Sequence, residues 1–276
     1  MPRKRPVFGS GRTLICGVLN VTPDSFSDGG RYATAEAAAE RALEMESEGA
    51  DLVDIGAESS RPGSEGIGAE EELSRLIGPL RKITRALRVP VSVDTCKPEV
   101  AEACLAEGAD IINDITGFSD ERMVRAAAAA GAGAIVMHML GRPRDMQKSP
   151  VYADGPVAGI ADFLARRISA LSGAGIRDII VDPGIGFGKT LDDNLDIMAG
   201  LAAFRKLGRP IMVGVSRKSF IGALSPSEPS GRLPGTIAAC AVCAMNGADI
   251  VRVHDVREAV QAMAVVDAIK KAGAGK

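Results

Sequence analysis

The sequence predicts an α/β chain folded as a (β/α)8 TIM barrel, and three observations carry that expectation. Eight short β-rich apolar runs recur along the 276 residues. They alternate with alanine-, leucine- and charge-rich segments of helical periodicity. The polar residues of the runs gather at their carboxyl ends. Near-continuous apolar strands alternating with helices imply a parallel sheet covered by helices. Eight such units in about 250 residues fit a closed barrel better than an open doubly wound sheet, which usually has about five or six strands.

In chain order the runs are TLICGVLNV, DLVDIGA, PVSVDT, DIINDI, AIVMHM, DIIVDP, PIMVGV and DIVRVHD. Helical segments follow several of them: AEAAAERALEMESEG after the first, EVAEACLAEGA after the third, ERMVRAAAAAG after the fourth and VREAVQAMAVVDAIKKAG after the eighth. Several close on the glycine that commonly ends a helix. Asn20, Asp94, Asn113, His138, Asp182, Ser216 and the pair Arg252 and His254 sit at the carboxyl ends of the runs, and the chain's two histidines are among them. In a barrel of this kind that end is the active-site face. No Pro/Gly/Ser-rich linker or charge block divides the chain, so residues 13–276 read as one barrel domain behind an extension, 1–12, whose fold is left open.

With 46% hydrophobic and 25% charged residues and a formal net charge of -2, the chain reads as soluble and offers no extended basic surface for nucleic acid. A small-molecule partner fits better. The start, MPRKRPVFGSGR, is followed by no apolar stretch of signal-peptide length, and no run reaches the roughly 18 apolar residues of a membrane span. The expectation is a cytoplasmic protein without a membrane partner. The five cysteines show no disulfide framework, and Cys16, Cys96 and Cys104 lack metal-ligand spacing. Cys240 and Cys243 form a C-x-x-C, but inside the alanine-rich helical stretch AACAVCAM, where free cysteine reads as a small buried hydrophobe.

Four stretches carry chemistry. LNVTPDSFSDGG, residues 19–30, begins as a strand and dissolves into turn formers, and its length suits a binding loop rather than a mere connection. In IVRVHD, Arg252 and His254 are two apart and leave the strand on one side, so a guanidinium fork and an imidazole share one space and read as an anion site. A surface salt bridge from Arg252 to Asp255 or Glu258 is the competing reading. VGVSRKSF puts Ser216, Arg217, Lys218 and Ser219 before a helix, a carboxylate or phosphate cradle, unless Lys218 is only a solvated lysine. DPGIGFGKT ends like a nucleotide-binding loop, but the position where such a loop needs its first glycine is Pro183. What remains is Asp182, three glycines that let the backbone approach a ligand, and Phe187, suited to covering a planar ring. Asp182 and Asn113 together suit the donor and acceptor edge of a flat heterocycle.

NVTPDSFSDGG, GAESSRPG, SVDT, NDI, MHM, DPGIGFGK, SRKS and RVHD resemble, in order from Asn20 to Asp255, the successive motifs of the dihydropteroate synthase family. The resemblance implies a (β/α)8 transferase of folate synthesis that joins hydroxymethyl-dihydropterin pyrophosphate to p-aminobenzoate. It implies Asp94, Asn113, Asp182 and Lys218 around the pterin, and Asn20, Arg252 and His254 around the pyrophosphate, with Mg²⁺ bridging Asn20 to its oxygens. Phe26 of the first loop and Ser60, Arg61 and Pro62 of the second would close over the site and form the p-aminobenzoate pocket, whose carboxylate would reach Ser219, with Phe187 also among the substrate-binding residues. The catalytic group would be Asp94, Asp182, Lys218, Arg252 and His254, in a sulfonamide-target enzyme that forms a homodimer. The chain departs from the family's frequent GGESTRPG at Ala57 and Ser60. A pterin-binding methyltransferase barrel would share Asp94, Asn113 and Asp182 without a pyrophosphate site, and a non-catalytic pterin-binding paralogue would have lost anion or loop residues that stand here.

Overall fold

The apolar runs become eight parallel strands, each followed by helix, in a computed structural model that describes residues 3–6, 11–22, 31–59 and 63–274. In order they are β1 (Leu14–Asn20), α1 (Arg31–Glu48), β2 (Leu52–Gly56), α2 (Ala69–Ala86), β3 (Val91–Asp94), α3 (Pro98–Ala106), β4 (Ile111–Asp114), α4 (Glu121–Ala130) and β5 (Gly133–Met137). Then come α5 (Pro156–Gly173), β6 (Ile179–Asp182), α6 (Leu191–Ala199), β7 (Met212–Gly214), α7 (Ser219–Leu224), α8 (Leu233–Met245), β8 (Ile250–Val253) and α9 (Val256–Ala274). The strands pair in the order β6-β5-β4-β3-β2-β1-β8-β7. A parallel bridge between Val181 and Ile211, with Val181 N donating to Pro210 O at 2.9 Å, draws β6 to β7 and nearly closes the ring. The predicted barrel is the observed one.

Strand alternation sorts the interior into layers. Leu14, Cys16, Leu52, Ile111, Ile135, Ile180, Met212 and Ile250 form a buried cluster of their own inside the ring, apart from the larger core between strands and helices. Successive residues of a strand face opposite sides, so the next inward position lies two residues on. Counting two onward reaches Asp54, Asn113, Asp182 and Arg252. An apolar plug therefore fills the lower bore, and a polar layer begins directly above it at the carboxyl ends. Cys240 and Cys243 are buried in α8, as expected of core residues.

The extension, left open by the sequence, reaches the opposite face. Arg3 Nε donates to Ala130 O at 2.7 Å, at the end of α4, and Arg3 Nη2 donates to Leu105 O of α3 at 3.3 Å. Lys4 Nζ donates to Leu87 O, just past α2, at 2.5 Å, while Lys4 N donates to Asp110 Oδ1 at 2.7 Å. Cations are favoured at helix carboxyl ends, where carbonyls go unpaired and the macrodipole is negative.

The chain after β6 lies flat on the chain after β5. A Cβ at Gly184, where φ is 71°, would meet His138 O at 2.0 Å. We expect Gly184→Ala to cost about 2 to 4 kcal/mol in urea unfolding, from left-handed strain plus the clash. Gly173→Ala, at the end of α5 where a Cβ meets nothing within 4 Å, should be neutral or slightly stabilising.

Candidate active site

The mouth of the barrel is organised by a partly buried cation. Arg252 donates from Nε to Asp54 Oδ2 at 2.7 Å and from Nη2 to Asp94 Oδ2 at 2.9 Å, crossing the bore from β8 to β2 and β3. Asn113 Nδ2 donates to the same Asp54 oxygen at 3.0 Å. Asp54 is fully buried, whereas the Asp94 side chain keeps 17% of its surface exposed. Asp54 is thus the base of the network and Asp94 its upper lip. Burial opposes the charge of Arg252, but Asp54 and Asp94 raise its pKa above the usual value. Burial pushes the carboxyl of Asp94 up to about 7, although Arg252 pulls the other way.

Across the mouth, Asp182 closes β6 and its Oδ1 accepts from Gly184 N at 2.7 Å. Burial raises its pKa, with Lys218 opposing. Lys218 donates to Ile185 O and stands over the Phe187 ring at 4.6 Å. Burial brings its ammonium down to about 8, with Asp182 holding it up. His254, just past β8, meets Ser216 Oγ through Nδ1 at 2.9 Å. In register across β1 to β4, Asn20 lies beside Gly56, Gly56 beside Asp94 and Asp94 beside Asn113. A cavity of about 350 Å³ opens here between Asp94, Thr95, Ile115, Met139 and the chain after β2. That chain is braced from below: Lys97 joins Glu58 to the buried Glu72, and Glu58 Oε1 accepts from Ile67 N at 3.1 Å. The arrangement offers a carboxylate and an amide for a heterocycle edge, an aromatic face, and cations for an anion.

Residues 16–254 match the family of pterin binding enzymes. The chain is 44% identical to the dihydropteroate synthase of Escherichia coli (strain K12), covering 98% of both chains. The chain belongs to the dihydropteroate synthase family. Among solved members of that family, the Yersinia pestis dihydropteroate synthase with a sulfonamide drug complex superimposes with a TM-score of 0.90 at 40% identity, covering 98% of this chain and 99% of that one. The Xanthomonas albilineans dihydropteroate synthase in complex with 7,8-dihydropteroate does so with a TM-score of 0.83 at 39% identity, covering 94% of each.

Of the residues read from the motifs of the dihydropteroate synthase family, the structure gathers Asp94, Asn113, Asp182, Lys218 and Arg252 around one mouth, with Phe187 against Lys218. Asn20 and His254 stand at the ends of neighbouring strands, and Ser219, exposed, opens α7. Phe26, Ser60, Arg61 and Pro62 lie outside the described residues. Ala57 is buried, and its carbonyl accepts from Arg75 at 3.1 Å.

Three readings need correction. The competing salt bridge of Arg252 to Asp255 or Glu258 is not formed; its partners are Asp54 and Asp94, and Asp255 instead takes Arg217 Nε at 3.1 Å. Arg217 is thereby turned out of the supposed anion cradle. His138 does not join the mouth. It falls one residue past inward-facing Met137, so it points outward to Phe163 and Tyr152, and burial and Lys189 bring its pKa down to about 3. The sequence reading missed Asp54, although a carboxylate two residues after inward Leu52 carried the signal. It also missed Lys189, which is buried and donates to Phe187 O at 2.9 Å.

Removing Asp54, the fully buried member, leaves a partly buried guanidinium half compensated and Asn113 without its acceptor. We expect Asp54→Ala to lower unfolding stability by about 3 to 5 kcal/mol in urea titrations. Asp182→Ala, which costs a bond to one amide and the counter-charge of Lys218, a lysine able to shed its proton, should fall short of that.

Proposed function

We propose that this chain is a dihydropteroate synthase, joining the methylene carbon of hydroxymethyl-dihydropterin pyrophosphate to the amine of p-aminobenzoate. The observation that carries the reading is the polar layer of Asp54, Asp94, Asn113, Asp182, Lys218 and Arg252 above the apolar plug, in a chain of this family. Asp182 accepts from the adjacent ring N–H and amino donors of the pterin, as a carboxylate accepts from a guanidinium fork. Asn113, held by Asp54, presents its amide oxygen to the same ring. Phe187 and Lys218 form the wall where the aromatic amine packs, and Ser219 takes its carboxylate.

The amine nitrogen, largely unprotonated at neutral pH, bonds to the methylene carbon as the carbon–oxygen bond to pyrophosphate breaks, and the amine then loses a proton to solvent. Asp94 and Asp182 favour positive charge on the pterin methylene. Arg252, whose Nη1 is left after Asp54 and Asp94 take Nε and Nη2, and His254, oriented by Ser216, receive the departing anion.

The residues fit a magnesium ion that arrives with the substrate. Among the described residues no cluster of three His, Cys, Asp or Glu side chains stands ready for a metal, and Asn20 brings a single amide oxygen to the end of β1. Mg²⁺ keeps several waters and takes phosphate oxygens readily, so one protein oxygen suffices. When bound it would neutralise charge on the pyrophosphate.

The sulfonamide complex of the Yersinia pestis relative supports sulfonamide binding at the p-aminobenzoate pocket of this chain. Among the described residues no helix is long and apolar enough to cross a membrane, which agrees with a cytoplasmic enzyme. Exposed Val242 and Met245 on α8 and Val265 and Ile269 on α9 offer apolar surface for a homodimer.

Incubation with both substrates and Mg²⁺ should yield dihydropteroate and pyrophosphate; a chain that binds pterin and forms neither product would sink the reading. Asp182→Asn sets an N–H against the pterin's N–H, and calorimetric titration should show a loss of about 2 to 4 kcal/mol in pterin affinity with the melting temperature nearly unchanged. Lys218 carries its charge below about 8, so affinity for the pterin pyrophosphate should decline as pH rises through that value. Lys218→Met should flatten this limb of the pH profile.

A further inference from the structure

The loop after β6 keeps its shape with neither helix nor strand. Four successive carbonyls, of Ile185, Gly186, Phe187 and Gly188, each accept from a side chain. Lys218 and Lys189 supply two of these donors. The others come from residues 139–155, between β5 and α5: Gln147 Nε2 donates to Gly186 O at 2.7 Å, and the Tyr152 hydroxyl donates to Gly188 O at 2.9 Å. The contact is close enough that a Cβ on Gly188 would meet Leu140 O at 2.1 Å.

The two clamped glycine carbonyls flank Phe187, the ring under the Lys218 ammonium. A Cβ on Gly186 would lie 3.1 Å from Lys218 Cδ, so the height of this peptide sets where the lysine stem runs. The clamping segment is itself stiff near Gln147, with Met146 N donating to Arg142 O at 2.7 Å and Arg142 N to Asp145 Oδ1 at 3.1 Å. Its near end is tied to the chain after β2, where Gly63 N donates to Pro143 O at 2.9 Å.

We propose that Gln147 and Tyr152 are positioning residues that fix the Phe187–Lys218 wall and, through it, the seat of the aromatic amine. The assignment of that amine rests on the function proposed above. Neither residue touches the reacting atoms. Each acts by holding one carbonyl, so its loss loosens the amine's seat while the pterin's own partners, Asp182 and Asn113, stay in place.

The test uses Gln147→Glu, which keeps shape but sets a carboxylate against the Gly186 carbonyl, and Tyr152→Phe, which removes only the hydroxyl. In each, KM for p-aminobenzoate should rise about tenfold, while kcat and the Kd for pterin pyrophosphate stay within about twofold. Gln147→Ala should fall between wild type and Gln147→Glu. Amide hydrogen exchange across residues 184–189 should quicken in all three variants, with or without substrate. Because Gln147 is exposed, its variants test the idea even if Tyr152→Phe proves unstable. Wild-type KM in Gln147→Glu, equal weakening of pterin and amine, or unchanged exchange would overturn the proposal. A wild-type chain that makes no dihydropteroate, with exchange still quickened in the variants, would strike the functional reading and leave the clamp standing.

Discussion

One guanidinium ties the strands of the barrel mouth together. Arg252 reaches from β8 across the bore to carboxylates on β2 and β3, and through Asp54 the tie extends to Asn113 on β4. Each partner depends on the others. Arg252 unpaired would be a partly buried charge without compensation, and Asp54 and Asp94 without it would be two carboxylates facing one another in a poorly solvated space. Their mutual compensation fixes the height and direction of four side chains before any ligand arrives, which is what recognition of a rigid flat ring requires. It also explains why Asp54 and Asp94 behave differently: one is sealed beneath the network, and the other keeps an exposed edge toward the mouth.

The opposite wall works by a softer balance. Asp182 and Lys218 are each pushed by burial toward the neutral form, and each is held back by the other's charge. With Asp94 near 7 and Lys218 near 8, the mouth contains groups whose charge is inexpensive to alter near neutral pH. A ligand carrying its own donors and anion can therefore shift Lys218 without undoing the Arg252 tie, of which Asp94 is a member.

The fold was legible because strand and helix periodicities are local, and the strand-end polar residues marked the face that carries the site. Asn113, Asp182 and Arg252 could be read directly, each ending an apolar run or nearly so. Asp54 could not be read as easily: it lies inside its run, and only counting two residues on from Leu52 shows that it shares the bore with Arg252. His138 misled for the complementary reason, since a strand-end position says nothing about parity, and a single step past Met137 turns it to the outer layer. Partners distant in sequence were beyond reach. Nothing local links Gln147 to Gly186, Arg217 to Asp255, or Arg3 to the end of α4.

The far end of the barrel is held in a different currency from its mouth. Arg3 and Lys4 lie partly exposed on the carbonyls that end α2, α3 and α4, and Arg5 meets Asp178 at the surface. Such contacts feel dissolved ions, whose screening length is about 8 Å at physiological ionic strength, whereas the Arg252 network, anchored on fully buried Asp54, feels them less. Salt therefore acts on the two ends unequally: an ionic strength that detaches the amino-terminal strap from the helix ends leaves the substrate mouth intact, and the barrel loosens first at the face opposite its chemistry.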